Sequence, residues 1–129
     1  MLRRAMPLRC LIVDDNTHFL TAARDLLERE GMEVVAVASS SSEAVRLVAE
    51  LLPDVALVDI DLGDESGLDV ARALAAADGR RARVVLISAY SESDFTDLIA
   101  ASPAVGFLPK ARLSAARIDE ILRAAQGPG

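Results

Sequence analysis

The chain has 129 residues, 52% of them apolar and 26% charged, with a formal net charge of −6. That is the size and composition of one globular domain able to bury its own core. The acidic balance argues against a nucleic-acid-binding surface, which would be basic, and a lone cysteine, Cys10, excludes an intrachain disulfide and a cysteine-rich metal site.

Apolar runs of strand length alternate with segments of helical period. Leu8 to Val13 reads as the first strand, and Cys10 inside it reads as a small buried hydrophobe. Phe19, Leu20, Ala23 and Leu27 give one apolar face to a helix that reaches Glu30 and is stopped by Gly31. Met32 to Val37 is the second strand. Ser40 with Glu43 forms a capping box for a helix through Leu51. Pro53 then breaks the chain, and Val55 to Val58 is the third strand. Ser66 with Asp69 caps a third helix that ends before Gly79. Val84 to Ile87 is the fourth strand. Ser91 with Asp94 caps a fourth helix carrying Phe95, Leu98 and Ile99. Val105 to Leu108 is a short fifth strand. Leu113, Ile118, Ile121, Leu122 and Ala125 mark the last helix, which the tail at 126–129 does not continue. The domain is thus expected over residues 7–125. The first residues, MLRRAMPLRC, make a poor signal peptide. No run approaches the ~20 apolar residues of a membrane span, so a cytoplasmic protein without membrane contact is expected.

Five strands alternating with five helices predict an α/β fold, a single doubly wound parallel sheet covered on both faces. Right-handed crossovers place every strand's C-terminal end on one edge, where such sheets hold their ligands. Asp14 and Asp15 follow the first strand, Asp59 and Asp61 the third, Ser88 the fourth and Lys110 the fifth. Clustered carboxylates repel one another, and a hard cation with oxygen ligands such as Mg²⁺ relieves that. A lysine and a hydroxyl beside them suit phosphoryl oxygens. Lys110 is the chain's one lysine; every other cationic side chain is an arginine. Singly, Asp14, Asp15 or Asn16 reads best as a helix cap. Asp64 and Glu65 read as solvated loop charges, and His18 as a surface helix residue without metal partners. Together, four strand ends carrying this chemistry read as a site.

The DD pair in LIVDDN, the acid closing ALVDID, the hydroxyl residue in VVLISAY and the lysine in GFLPKA resemble the receiver domain of two-component response regulators. The resemblance covers about residues 7 to 125. It implies the flavodoxin-like strand order 2-1-3-4-5. It implies that Asp59 accepts a phosphoryl group from a histidine kinase, and that Asp15, Asp59 and the backbone carbonyl of Asp61 ligate Mg²⁺, with Asp14 helping through water. It implies that Lys110 contacts the phosphoryl oxygens, that Ser88 hydrogen-bonds to them, and that Phe107 is the aromatic that reorients inward with Ser88. A downstream protein partner or output domain and a homodimer are further implied partners, with no nucleic acid bound by this chain alone. The activity is that of a phosphoacceptor with slow self-dephosphorylation rather than an enzyme. The sequence departs from the family's common pattern at Gly63, where proline is frequent, at Ser66-Gly67, where glycine often follows an acid, and at Ala111, where proline often follows the lysine. Asp61 and Tyr90 hold positions that tune phosphoryl lifetime in the family.

A rival reading is a haloacid-dehalogenase-type phosphatase using Asp59 and Asp61 as nucleophile and general acid/base. In those enzymes the nucleophile strand comes first and the acidic pair last. Here Asp14 and Asp15 precede Asp59, and little chain remains for a cap, so that reading ranks second. A non-phosphorylated interaction module on the same fold ranks third, because the acid set is complete. Both a stand-alone receiver and a piece lying ahead of a DNA-binding domain fit the chain.

Overall fold

The computed structural model describes residues 7–77, 83–90 and 95–126. Arg9–Val13 (β1), Glu33–Ala38 (β2) and Val55–Asp59 (β3) are the first three strands. A two-residue pair, Asp61–Leu62 (β4) and Glu65–Ser66 (β5), follows, then Arg83–Ser88 (β6) and Gly106–Pro109 (β7). The helices are Thr17–Arg29 (α1), Ser41–Leu51 (α2), Gly67–Ala77 (α3), Thr96–Ala100 (α4) and Ala115–Gln126 (α5).

The main sheet is parallel in the order β2-β1-β3-β6-β7. Counted over its own five strands this is 2-1-3-4-5, the order the resemblance implied. Adjacent residues of each strand point to opposite faces. Leu11, Val13, Ala56, Val58, Val84, Leu86 and Phe107 pack with the apolar faces of α2 and α3. Cys10, Ile12, Val55, Leu57, Val85, Ile87 and Leu108 pack with α1 and α5. Burial on both faces explains why the central strands carry unbroken apolar runs instead of alternation.

Most local signals act as read. Gly31, at φ +96°, ends α1 with paired bonds from Met32 N–H to Leu27 and from Gly31 N–H to Glu28, the Schellman arrangement that favours glycine there. Ser40 Oγ accepts from the Glu43 amide at 3.2 Å, but Glu43 returns its bond to the amide of Ser39, one residue earlier than a capping box requires. Ser66 accepts from Leu68 at the start of α3, while Asp69 turns outward to Arg72 at 2.9 Å. The cap read at Ser91 and Asp94 lies outside the described residues, as does Gly79.

Strand ends shift by a residue or so from the reading, and three differences matter more. β3 includes Asp59 itself, because its backbone still pairs in register with Ile87. Leu113 precedes α5: a 3₁₀ turn, Lys110–Arg112, comes first, and Leu113 is buried against the α1–α5 side of the core. Gln126 still belongs to α5 and not to a tail. The burial of Cys10 is complete, and that burial pushes its thiol up to about 12, so it is inert at neutral pH.

Candidate phosphoryl-acceptor site

The strand ends converge as the topology demands. Asp14 follows β1, and its backbone N–H extends the β1–β2 ladder by donating to Ala38 at 2.9 Å. This fixes its side chain under the sheet edge with no exposure at all. Asp59 closes β3 at 5% exposure. Asp15, beside Asp14, is exposed. Carboxylate oxygens of Asp14, Asp15 and Asp59 all lie within 4.8 Å of one another.

Lys110 reaches this group from the end of β7. Its Nζ stands 2.6 Å from Asp14 Oδ2 and 3.2 Å from Asp59 Oδ2. The bond to Asp59 is well aligned. The approach to Asp14 is a charge contact without hydrogen-bond alignment. The other oxygens are also engaged: Asp14 Oδ1 accepts from Asn16 N–H at 2.9 Å, and Asp59 Oδ1 from Asp61 N–H at 3.1 Å.

Burial pushes the Asp59 carboxyl up from 3.8 to about 6, and the charge of Asp14 adds to the rise. The Asp61 amide and the Lys110 ammonium oppose it without cancelling it. For Lys110 burial works toward a lower value, but Asp14 and Asp59 together outweigh it and the net shift is upward. A stability trend follows. Between pH 3.8 and about 6 the folded chain keeps an Asp59 proton that the unfolded chain has released. Stability therefore falls as pH rises through that window, by on the order of 2–3 kcal/mol for this one group. Urea unfolding in metal-free buffer at several pH values should show this fall, and Asp59→Asn should remove that part of the slope. A mutant slope equal to that of the wild type would exclude the assignment.

Asp61 lies past the strand end, exposed, on the first strand of the β4–β5 hairpin. Gly63 makes the turn at φ +72°, and a Cβ there would stand 3.0 Å from Asp15 Oδ2. Ser88 ends β6 at 2% exposure, its Oγ accepting from Tyr90 N–H at 3.0 Å. It sits opposite Pro109, the residue before Lys110. Phe107 is 8% exposed, with Phe95, Ile99 and Ala104 on the same side of the core. In this conformation its ring already lies inside. His18 is exposed on α1 and stands apart from the acid cluster.

Three features were not legible beforehand. The β4–β5 hairpin replaces what read as a loop. Glu65 is exposed, yet its Oε1 accepts from the Ser41 amide at 2.8 Å, so it tethers the hairpin to the first turn of α2. Phe19 places its ring under the Lys110 ammonium, 4.3 Å from the centroid. Glu65 carries a weak local signal at most, being an acid in a polar turn. Phe19 carries none beyond its place on the apolar face of α1.

A doubly wound sheet with an acid triad and one lysine at its C-terminal edge defines a class of phosphoryl-handling α/β domains. The response regulator receiver domain family matches residues 10–123, and the chain belongs to that family. It is 42% identical over 89 residues to protein-glutamate methylesterase/protein-glutamine glutaminase 5 of Myxococcus xanthus, covering 68% of this chain and 26% of that protein. It is 30% identical over 106 residues to the transcriptional regulatory protein PdtaR of Mycobacterium tuberculosis, covering 82% of this chain and 51% of that one. A LuxR-family two-component response regulator from Aurantimonas sp. SI85-9A1 superposes with a TM-score of 0.80 at 30% identity, covering 94% of this chain and 86% of the other. The chain spans about half or less of the length of these two curated relatives. The family match and the response-regulator structures set aside the phosphatase reading. Among the described residues no helix is long and apolar enough to cross a membrane.

Proposed function

We propose that Asp59 accepts a phosphoryl group from a phosphohistidine of a histidine kinase. One observation carries this: a nearly buried carboxylate at the end of the central strand is paired at 3.2 Å with the chain's one lysine, inside a triad of acids. A carboxylate oxygen of Asp59 attacks phosphorus, the P–N bond of the donor breaks as the P–O bond forms, and the departing imidazole takes up a proton. Lys110 moves from the carboxylate to the phosphoryl oxygens and balances their charge. Ser88 exchanges its bond with the Tyr90 amide for one to the phosphoryl group, and Phe107 answers beside it as the switch pair.

The donor set fits Mg²⁺: hard oxygens from Asp14, Asp15 and Asp59 lie together, and the backbone carbonyl of Asp61 would complete the set. When bound, the ion would neutralise charge on the transferring group. At Mg²⁺ a hundredfold above its Kd the fold should gain about 2.7 kcal/mol. Thermal melts with and without Mg²⁺ measure this, and a wild type that behaves like Asp15→Ala would count against the site.

The chain is further read as a cytoplasmic domain over residues 7–125 that labels stoichiometrically and loses the phosphoryl group slowly. Its phosphorylated state acts on a downstream protein, an output domain or a second copy, and it does not bind DNA by itself. The deciding experiment is incubation with Mg²⁺ and acetyl phosphate, followed by intact mass. Wild type should gain one phosphoryl group and Asp59→Asn none. Efficient labelling of the Asn variant would sink the assignment.

A further inference from the structure

Lys110 is held by more than its two carboxylates. Asp14 Oδ1 accepts from the Asn16 amide at 2.9 Å. Asn16 in turn caps α1, its Oδ1 accepting from the Phe19 amide at 3.0 Å. That cap fixes the first turn of α1 and with it the root of the Phe19 side chain. The Phe19 ring then lies under the Lys110 ammonium at 4.3 Å, and the ammonium returns to Asp14 Oδ2 at 2.6 Å. Asp14, Asn16, Phe19 and Lys110 thus form a closed cycle of contacts. One acid sets both ends of it: Oδ1 orients the helix that presents the ring, and Oδ2 holds the cation that the ring supports.

The ring face carries the negative lobe of the aromatic quadrupole, and it attracts a cation most when that cation is partly desolvated. Lys110 meets that condition, with its side chain 17% exposed. The ring also does what a third carboxylate could not. It holds the ammonium without taking one of the hydrogen bonds that a phosphoryl group will need, and without adding a negative charge beside an incoming anion.

We propose that Phe19 is a positioning residue: its ring holds the Lys110 ammonium at the sheet edge, so that the cation stays in place when its partner Asp59 is converted to an acyl phosphate. This rests on the reading that Lys110 meets the phosphoryl oxygens. Phe19 acts through Lys110, which its ring supports.

Two measurements on the full chain test it separately. Because Lys110 is the one lysine, ¹³C-lysine labelling gives its ε-methylene signals without ambiguity. The ammonium they adjoin stands 4.3 Å from the ring centroid, so they should be shifted upfield in wild type. Phe19→Leu should abolish the shift, and Phe19→Tyr should keep it. This arm needs no phosphorylation, so it stands even if Asp59 fails as acceptor. The second arm is the initial rate of labelling by acetyl phosphate with Mg²⁺. Phe19→Leu should be roughly two- to tenfold slower and Phe19→Tyr close to wild type. Stepwise fluorination of the ring, which weakens its quadrupole at nearly constant size, should lower the rate step by step. A lost fold would show as a lowered melting temperature in Phe19→Leu, and the fluorinated series then decides. An unshifted ε-methylene signal in wild type, or a labelling rate that does not respond to fluorination, would overturn the proposal while leaving Asp59→Asn to judge the acceptor.

Discussion

Lys110→Met should lose about 3–5 kcal/mol at pH 7 without divalent metal, the usual cost of removing one partner from a buried ion pair. The substitution keeps most of the apolar stem and deletes the charge. What remains is Asp14, with no exposure, and Asp59, at 5%, facing each other with no cation between them. The loss should depend on conditions in a way that a packing defect would not. Without Lys110 to oppose it, burial pushes the Asp59 carboxyl further up than the value of about 6 it already has. At low pH the carboxyl is protonated and the penalty shrinks, so the variant should approach wild type near pH 5. Millimolar Mg²⁺ should restore much of the loss at pH 7, because it supplies the missing positive charge. Asp14→Asn added to Lys110→Met should do the same without metal, since it removes one of the two stranded charges. Urea unfolding of the three proteins at two pH values, in chelator and in Mg²⁺, checks all of this. A Lys110→Met variant that melts with wild type at pH 7 in chelator would mean that solvent already screens the cluster, and the electrostatic account of the site would fail.

The sheet was legible in the sequence because burial on both faces leaves a distinctive record. Val55 to Val58 cannot be an exposed element, and its position between two amphipathic helices leaves little choice but a central parallel strand. The acid cluster was legible for a topological reason. Once the strands are parallel, Asp14, Asp59, Ser88 and Lys110 must share an edge, however far apart they lie in the chain. What stayed hidden depends on long-range geometry. Glu65 looks like any solvated acid until α2 is placed beside it, and only then does the Ser41 amide become its partner. Phe19 looks like a core residue because a helix periodicity cannot say that the ring's face meets a lysine from the turn after β7. The β4–β5 hairpin is too short for an alternation to register, with two residues to each strand. Leu113 reads as part of the last helix because an apolar residue next to a periodic segment matches that period by chance. Its burial comes instead from the turn that delivers Lys110.

Gly67→Ala should be the most damaging single-methyl change near the site. Gly67 opens α3 where that helix passes over the end of β3, and its N–H donates to the Ile60 carbonyl at 2.7 Å. A Cβ there would stand 2.0 Å from the Asp59 carbonyl oxygen, 2.7 Å from its carbon and 2.8 Å from Ile60 Cα. All three are backbone atoms of the residue that carries the acceptor carboxylate and of its neighbour, so no side-chain rotation can relieve the clash. Either α3 lifts off the sheet or the end of β3 is pushed aside. The cost should be about 3 kcal/mol, the upper part of the usual range for overpacking a buried position. Gly106→Ala supplies the control. Its Cβ would also come too close, 2.4 Å from Ile121 Cγ2, but that atom is the branch methyl of a half-buried side chain on α5, where a small shift of the helix relieves the contact without moving the sheet edge. Gly106→Ala should therefore be milder in thermal melts and leave labelling at Asp59 intact. In Gly67→Ala the folded fraction, assayed well below its melting temperature, should label slowly, because relief of the clash displaces Asp59 from Lys110 and from the other acids. If Gly67→Ala instead matches Gly106→Ala in both stability and labelling rate, then the junction between β3 and α3 is looser than the close backbone contact implies, and the position of the acceptor is not set by that helix.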